Sequence, residues 1–294
     1  MGTLMNERGD DWPSALIPGS LPTNEYPNPN RSNTRKYSGR WWQMDSEERY
    51  DKHIADGVKL SYKKEDFYYD LNSTGFRCDD FDTMDFTKKS IIYLGCSHTF
   101  GIGLPEEDCW PTIMHNKIQE EHNTTYNYIN LGVPGGGVDW YLHFLPYFSK
   151  FNPAFIISAT PEVTRMNWVT EGGWLMSITP SEVTELTQIS KLPIAYRRRI
   201  ATTYRRMLLE ENHFEYRKEV IFANIASVAK ILNSKLIIMD SETVNNPEGR
   251  AARSGNLRDS VISGYGYARD NRHYNNHHHT ILAKIMMKKI KENK

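Results

Sequence analysis

Cysteine is scarce in this chain, long apolar runs are missing, and neither sign of charge dominates. The 294 residues hold three cysteines, Cys78, Cys96 and Cys109. Three thiols without ligand spacing make neither a disulfide framework nor a zinc site, and they read as reduced thiols in a reducing compartment. No apolar stretch approaches the roughly 20 residues needed to span a bilayer. Met1 to Asp11 lacks the basic-then-apolar layout of a signal peptide, so a cytoplasmic location is expected. Lys and Arg total 36, Asp and Glu total 36, and the formal net charge is +0. Bulk electrostatics therefore predict no nucleic-acid partner and no membrane partner. There are no internal repeats. What remains is a chain that is 39% hydrophobic and 12% aromatic, long enough for one large α/β domain with extensions or two small ones. Its abundant Tyr and Asn suit a sugar-facing surface.

Residues 12–40 are rich in Pro, Asn, Ser and Arg without periodicity and read as an extended arm or linker. Residues 41–58 have room for one short helix, with the tandem Trp41-Trp42 as a packing anchor. Residues 67–82 read as short strand and turn pieces. A regular alternation then begins near Lys88. Strands are predicted over 89–94, 126–133, 154–159 and 235–240, and helices over 110–121, 139–151, 220–232 and 280–291. Pro111 is acceptable in a first turn, and Asp139 suits an N-cap or first-turn acid. A fifth strand is expected near Val261-Ile262. Such alternation implies a parallel sheet with right-handed crossovers. We expect an N-terminal extension over 1–87, packing on a main domain over 88–294. An insertion over about 165–215 covers the active edge, with a turn at Gly172-Gly173-Trp174 and a helix over 195–209. The basic face of that helix reads as solvated.

Three short stretches carry chemistry. Ile91-Ile92-Tyr93-Leu94-Gly95-Cys96-Ser97 is an apolar strand ending in a serine on a tight turn, at the sheet edge where ligands of open α/β folds bind. Asn130-Leu131-Gly132-Val133-Pro134-Gly135-Gly136-Gly137 is a glycine turn after the second strand. Asp270-Asn271-Arg272-His273 stands just before the last helix. A serine hydroxyl needs a base within reach and a group to orient that base. His273 is the candidate base and Asp270 its orienter. Backbone N–H groups of the glycine turn are candidate oxyanion donors.

In this order and placement the stretches resemble the SGNH (GDSL-like) hydrolases: serine esterases, lipases and carbohydrate deacetylases. Gly95 to Gly101 is similar to the family's first block, with Cys96 in place of its usual Asp. Asn130 to Gly135 is similar to the second block. Asp270 and His273 match the last, although Tyr274 stands where Pro usually follows. Asn72-Ser73-Thr74-Gly75-Phe76-Arg77 and Leu104 to Pro111 resemble segments of a bacterial and phage-borne branch. The resemblance implies a three-layer α/β sandwich around a flavodoxin-like parallel sheet. It implies Ser97 as nucleophile, His273 as base, Asp270 as orienter, and the N–H groups of Ser97 and Gly135 as oxyanion donors. It implies no metal or organic cofactor and a small-molecule or glycan ester as substrate, with an O-acetylated carbohydrate first among them. It leaves the oligomeric state open.

One block departs from the family. Its Asn, an amide donor to the oxyanion, falls on Pro161, which has no donor. Either Thr160, Arg165 or Asn167 substitutes, or the hole has backbone donors alone. His98 and Arg165 are expected to contact substrate. A second reading of the chain is a catalytically weak or inactive binding or structural protein on the same fold, virion-associated if phage-encoded. Other temptations weigh less. His277-His278-His279 fit the first turn of a helix capped by Asn275 or Asn276 better than a metal site. Cys96 fits a buried small residue better than a nucleophile. The glycine run lacks the frame of a phosphate loop.

Overall fold

The computed structural model describes residues 37–42, 45–163, 165–169, 175–178, 202, 211–240, 267–270 and 273–292. In chain order its first elements are β1 (Tyr37–Gly39), α1 (Glu47–Ala55), β2 (Tyr69–Leu71), β3 (Ser90–Gly95), α2 (Ser97–Phe100), α3 (Trp110–His122) and β4 (Asn127–Gly132). They are followed by α4 (Trp140–Phe144), α5 (Phe148–Phe151), β5 (Pro153–Ala159), β6 (Met166–Val169), β7 (Leu175–Ile178), α6 (Glu211–Ile231), β8 (Lys235–Met239) and α7 (Asn276–Glu292).

The centre is a parallel sheet in the order β4-β3-β5-β8. Its strands carry apolar residues on both faces because both faces are covered; every residue of β3 is buried. Successive side chains point to opposite faces, which sorts the core into two layers. Ile92, Leu94, Ile129, Leu131 and Ile156 meet Phe144, Phe148, Ile221 and Ile225 from α4, α5 and α6. Ile91, Tyr93, Phe155, Ile157 and Ile237 meet Trp110, Met114, Ile118, Leu282 and Met286 from α3 and α7. The result is the helix–sheet–helix sandwich expected from the alternation. Two further two-stranded antiparallel sheets, β1 with β2 and β6 with β7, lie outside it.

Several boundaries differ from expectation. The helix predicted over 139–151 is broken into α4, a 3₁₀ turn at Leu145–Tyr147 and α5. Pro146 lies in that turn, where it removes a donor and obstructs a continuous helix. Asp139 stands at the N-terminus of α4 without capping it; its carboxylate meets Arg217 Nε at 3.3 Å. α6 starts nine residues before Val220, held there by buried Phe214 and by Arg217. Arg217 Nη2 donates to the carbonyls of Val163 (2.8 Å) and Arg165 (2.9 Å). α7 starts at Asn276 and so includes all three histidines of the run; Asn275 Oδ1 accepts from the His277 N–H at 3.1 Å. The turn at 172–173, the helix over 195–209 and the strand near 261–262 lie outside the described residues.

The segment ahead of the sheet packs on the turn after β3. Trp42, Phe67, Tyr69 and Leu71 form one buried cluster with Phe100 and Ile102. Trp42 stacks on Phe100 at 6.3 Å, while Trp41 lies against the Arg269 guanidinium at 4.5 Å.

Candidate active site

The carboxyl end of β3 is where the chain turns to β4 on one side and to β5 on the other. That is the topological switch point of a flavodoxin-like sheet and the usual place for a ligand. Ser97 begins α2 there. The turn is tight because glycine allows it. A Cβ on Gly95 would lie 1.8 Å from Thr99 Oγ1, and one on Gly132 would lie 2.4 Å from the Phe100 nitrogen. No other residue lets α2 approach the strand ends this closely. Asn130 fastens the arrangement: its Nδ2 donates to Thr99 O at 2.9 Å and its Oδ1 accepts from Gly132 N at 2.9 Å. The Ser97 side chain is half-buried and donates weakly to Cys96 Sγ at 4.0 Å. Cys96 itself is buried.

Asp270 and His273 meet each other. His273 Nδ1 lies 2.5 Å from Asp270 Oδ2, and the His273 N–H donates to Asp270 Oδ1 at 3.1 Å. The Asp270 side chain has no exposure and the His273 side chain 13%. A carboxylate on Nδ1 fixes the tautomer with the proton there and leaves Nε2 as the basic nitrogen. The loop bearing them is seated on the turn that follows Ser97. Arg269 N donates to Gly103 O at 3.0 Å, and Ala268 N donates to His273 O at 3.0 Å. Gly103 sits at φ +77, and a Cβ there would lie 2.8 Å from Ala268 Cβ and 3.0 Å from Asp270 Oδ1. The described structure thus brings the serine turn and the Asp270 loop into direct contact.

His98 and Tyr274 form a wall beside His273. The His98 ring meets His273 edge-on at 5.2 Å and stacks on Tyr274 at 5.0 Å. Tyr274 stacks in turn on His278 at 4.6 Å. Burial pushes His98 well below the usual histidine range, and nearby His273, His279 and Arg165 push the same way. Burial likewise pushes His279 down to about 3, and its Nδ1 accepts the Trp110 N–H at 3.0 Å. These two rings are therefore neutral at pH 7. His279 packs α7 on α3 and His278 stacks on Tyr274, and among the described residues no group of three or more His, Cys, Asp or Glu could hold a metal ion.

The glycine turn after β4 holds Gly135 at φ +77, with the Gly136 N–H bonded to Val133 O at 2.8 Å. Arg165 Nη1 donates to Gly136 O at 3.3 Å, which lays its cation along this turn. Thr160 follows the last residue of β5, its N–H bonded to Met239 O at 2.9 Å. Its hydroxyl is buried without a hydrogen-bond partner among the described residues. Asn167 lies in β6 opposite Ser177, and Pro161 is buried. A separate cavity of about 280 Å³, lined by residues that include Asp70, Asn72, Asp80 and Glu106, contains none of these groups.

Several supports of the site have no short-range signal. Arg77, fully buried, donates to the carbonyls of Phe100 (3.3 Å), Gly101 (2.7 Å) and Leu104 (2.9 Å), the chain that leaves α2. Asp45 and Arg269 form a buried ion pair at 2.8 Å. The Asn72-to-Arg77 segment gave Arg77 a place in a motif but no role. Asp45 and Tyr69 stood in no motif.

No family model and no curated protein matches the chain by sequence. Among solved structures it is similar to TesA, at 13% identity and a TM-score of 0.34 over 69% of this chain and 99% of that one. It is similar to the esterase EstA from Pseudoalteromonas sp. at 11% and 0.32, over 69% and 97%. It is similar to an acetyl xylan esterase, AlAXEase, at 16% and 0.30, over 68% and 99%. At these identities and scores the likenesses assign no residue a role, and the site stands on its own geometry.

Proposed function

We propose that the protein is a serine esterase that hydrolyses a short-chain ester, with an O-acetylated carbohydrate as the first substrate class to test. The observation that carries this reading is the 2.5 Å bond between His273 Nδ1 and the buried Asp270 carboxylate, on a loop seated against the turn that begins at Ser97. A buried carboxylate on the distal nitrogen of a histidine orients a general base and stabilises the imidazolium it becomes. Structural packing alone does not ask for that pair on a loop seated against a serine turn.

In the mechanism, Ser97 Oγ attacks the ester carbonyl carbon as His273 Nε2 takes the hydroxyl proton. The oxyanion of the tetrahedral intermediate lies on the N–H groups of Ser97 and Gly135. Collapse breaks the bond to the alcohol oxygen, which leaves with the proton from His273, and the acyl group stays on Ser97. Water then attacks the acyl-serine, giving its proton to His273, and the acid departs as Ser97 Oγ is reprotonated. Arg165, bonded across the glycine turn, Thr160, whose hydroxyl has no hydrogen-bond partner among the described residues, and Asn167 are the candidates for the third donor. The loss of one such donor costs about 2.7–4 kcal/mol of transition-state stabilisation, which slows an enzyme without abolishing it. His98 is the candidate substrate contact beside His273.

Pro161 favours a second reading, a binding or structural protein on the same fold, because the amide donor expected there is missing. Turnover of p-nitrophenyl acetate by the wild type, Ser97→Ala and His273→Ala at pH 7 to 8 separates the two. The esterase reading expects both variants to lose nearly all of the rate, by about four orders of magnitude or more. A wild type no faster than its variants, on this ester and on acetylated glycans, rejects it.

A further inference from the structure

The residues ahead of the sheet do more than cover it. Tyr69 Oη accepts the Gly103 N–H at 2.7 Å and donates to Asp45 Oδ2 at 2.6 Å. Arg269 Nη2 donates to the same Asp45 oxygen at 2.8 Å, and Arg269 N donates back to Gly103 O at 3.0 Å. These four contacts close a ring: Gly103, Tyr69, Asp45, Arg269, Gly103. Tyr69, Asp45 and Arg269 are all buried, the side chains of Asp45 and Arg269 completely. Gly103 belongs to the turn that follows Ser97, and Arg269 precedes Asp270. The ring therefore joins the two loops that carry the proposed nucleophile and the proposed base, through side chains from a third, remote segment.

The remaining contacts of Arg269 tighten the same joint. Its guanidinium also donates to the carbonyls of Lys64 at 3.1 Å and Arg40, and lies against Phe67 at 3.7 Å. The backbone of Ser61 donates to Tyr267 O at 3.0 Å. Burial pushes the Asp45 carboxyl upward against the pull of Arg269 and Tyr69. A fully buried ion pair of this kind contributes little net stability, and its attested use is to fix one arrangement among several.

We infer that Asp45, Tyr69 and Arg269 are positioning residues, which set the distance between Ser97 and the Asp270–His273 pair by locking Gly103 to Arg269. The inference rests on the esterase reading for its kinetic consequence only; the ring and its effect on the Asp270–His273 bond do not depend on it.

Tyr69→Phe is the direct test, since it deletes both hydroxyl contacts and keeps the ring's packing. With p-nitrophenyl acetate, kcat should fall about tenfold to a hundredfold, the scale of a misplaced reacting group, with KM within about twofold. The downfield proton resonance of His273 Nδ1–H, assigned by its loss in His273→Ala, should shift or broaden. A lower melting temperature with unchanged kcat and resonance overturns the inference. If the wild type turns over no ester, the esterase reading fails, and the resonance alone decides this one. Should Tyr69→Phe not fold, amide exchange in the wild type decides. The Gly103 and Arg269 N–H groups are expected to be protected together, with one opening rate; fast exchange at Gly103 beside slow exchange at Arg269 overturns the inference.

Discussion

The turn that begins at Ser97 and the loop that carries His273 rest on two kinds of support. The start of the serine turn is framed by its own neighbourhood, while Arg77 grips its far end. Gly95 and Gly132 let α2 lie against the ends of β3 and β4, and Asn130 bonds both the helix and the strand end. That frame comes from residues 95–132. Among the described residues, the Asp270–His273 loop is tied to the rest of the protein by distant partners. It hangs on Gly103 and on Asp45, 224 residues away from Arg269 in sequence. The proposed site would therefore be half built by the sheet and half borrowed from the segment ahead of it. The two halves should fail differently when disturbed.

The largest effect belongs to the borrowed half. Asp270→Asn keeps the size of the side chain and can present the wrong hydrogen-bond partner to His273 Nδ1. Turnover is expected to fall by about 10⁴, while the melting temperature moves little and Ser97 stays in place. A variant within a few-fold of wild type would sink the claim that the carboxylate orients the base. Next comes the anchor. Asp45→Ala leaves the Arg269 guanidinium buried without its carboxylate, and removing one partner of a buried pair costs about 3–5 kcal/mol. Chemical denaturation measures this directly. A loss below about 1 kcal/mol, the level of an exposed pair, would mean that the loop does not depend on the extension.

The local half should give a smaller and opposite signature. Gly132→Ala pushes a methyl against the Phe100 nitrogen and Asn130 Oδ1, and overpacking of this kind costs about 1–3 kcal/mol. The Ser97 turn should move while the Asp270–His273 bond persists. Labelling of Ser97 by a fluorophosphonate should slow, and the downfield His273 resonance should remain. Loss of both signals together would erase the distinction between the two halves.

The same distinction explains what could be read from the sequence. The parallel sheet and its flanking helices follow from apolar period and length, which are local. Gly95, Ser97, Asn130 and Gly135 form contiguous blocks, and Asp270 and His273 stand three residues apart, so their grouping is visible without coordinates. Asp45 with Arg269 and Tyr69 with Gly103 are single polar residues paired across long separations, and no periodicity marks them. Arg77 sat in a recognisable segment, but its bonds go to carbonyls, which leave no trace in residue identity. The break of the helix at Pro146 was legible in principle from the proline alone. The early start of α6 was not, because Arg217 earns its place from Asp139 and two carbonyls in other elements.

Read per pH unit, the smallest expected effect comes from pH, and it probes the packing that both halves share. His279 sits on α7, takes the Trp110 N–H on Nδ1 and lies 6.4 Å from His98. In the unfolded chain a histidine binds its proton below about pH 6.5, whereas in the fold burial holds His279 down to about 3. Between those values the unfolded chain carries more protons than the folded one, so stability falls as pH falls, by at most about 1.4 kcal/mol per pH unit for one such group. His98 adds in the same direction, its burial again the main cause. His279→Asn can keep an acceptor for Trp110 and removes the titration. Denaturation midpoints from pH 6.5 to 4 should therefore decline less steeply in this variant than in the wild type. Equal slopes would mean that His279 binds a proton in the folded state without opening α7 from α3, and that the neutral wall around His273 is not enforced by burial.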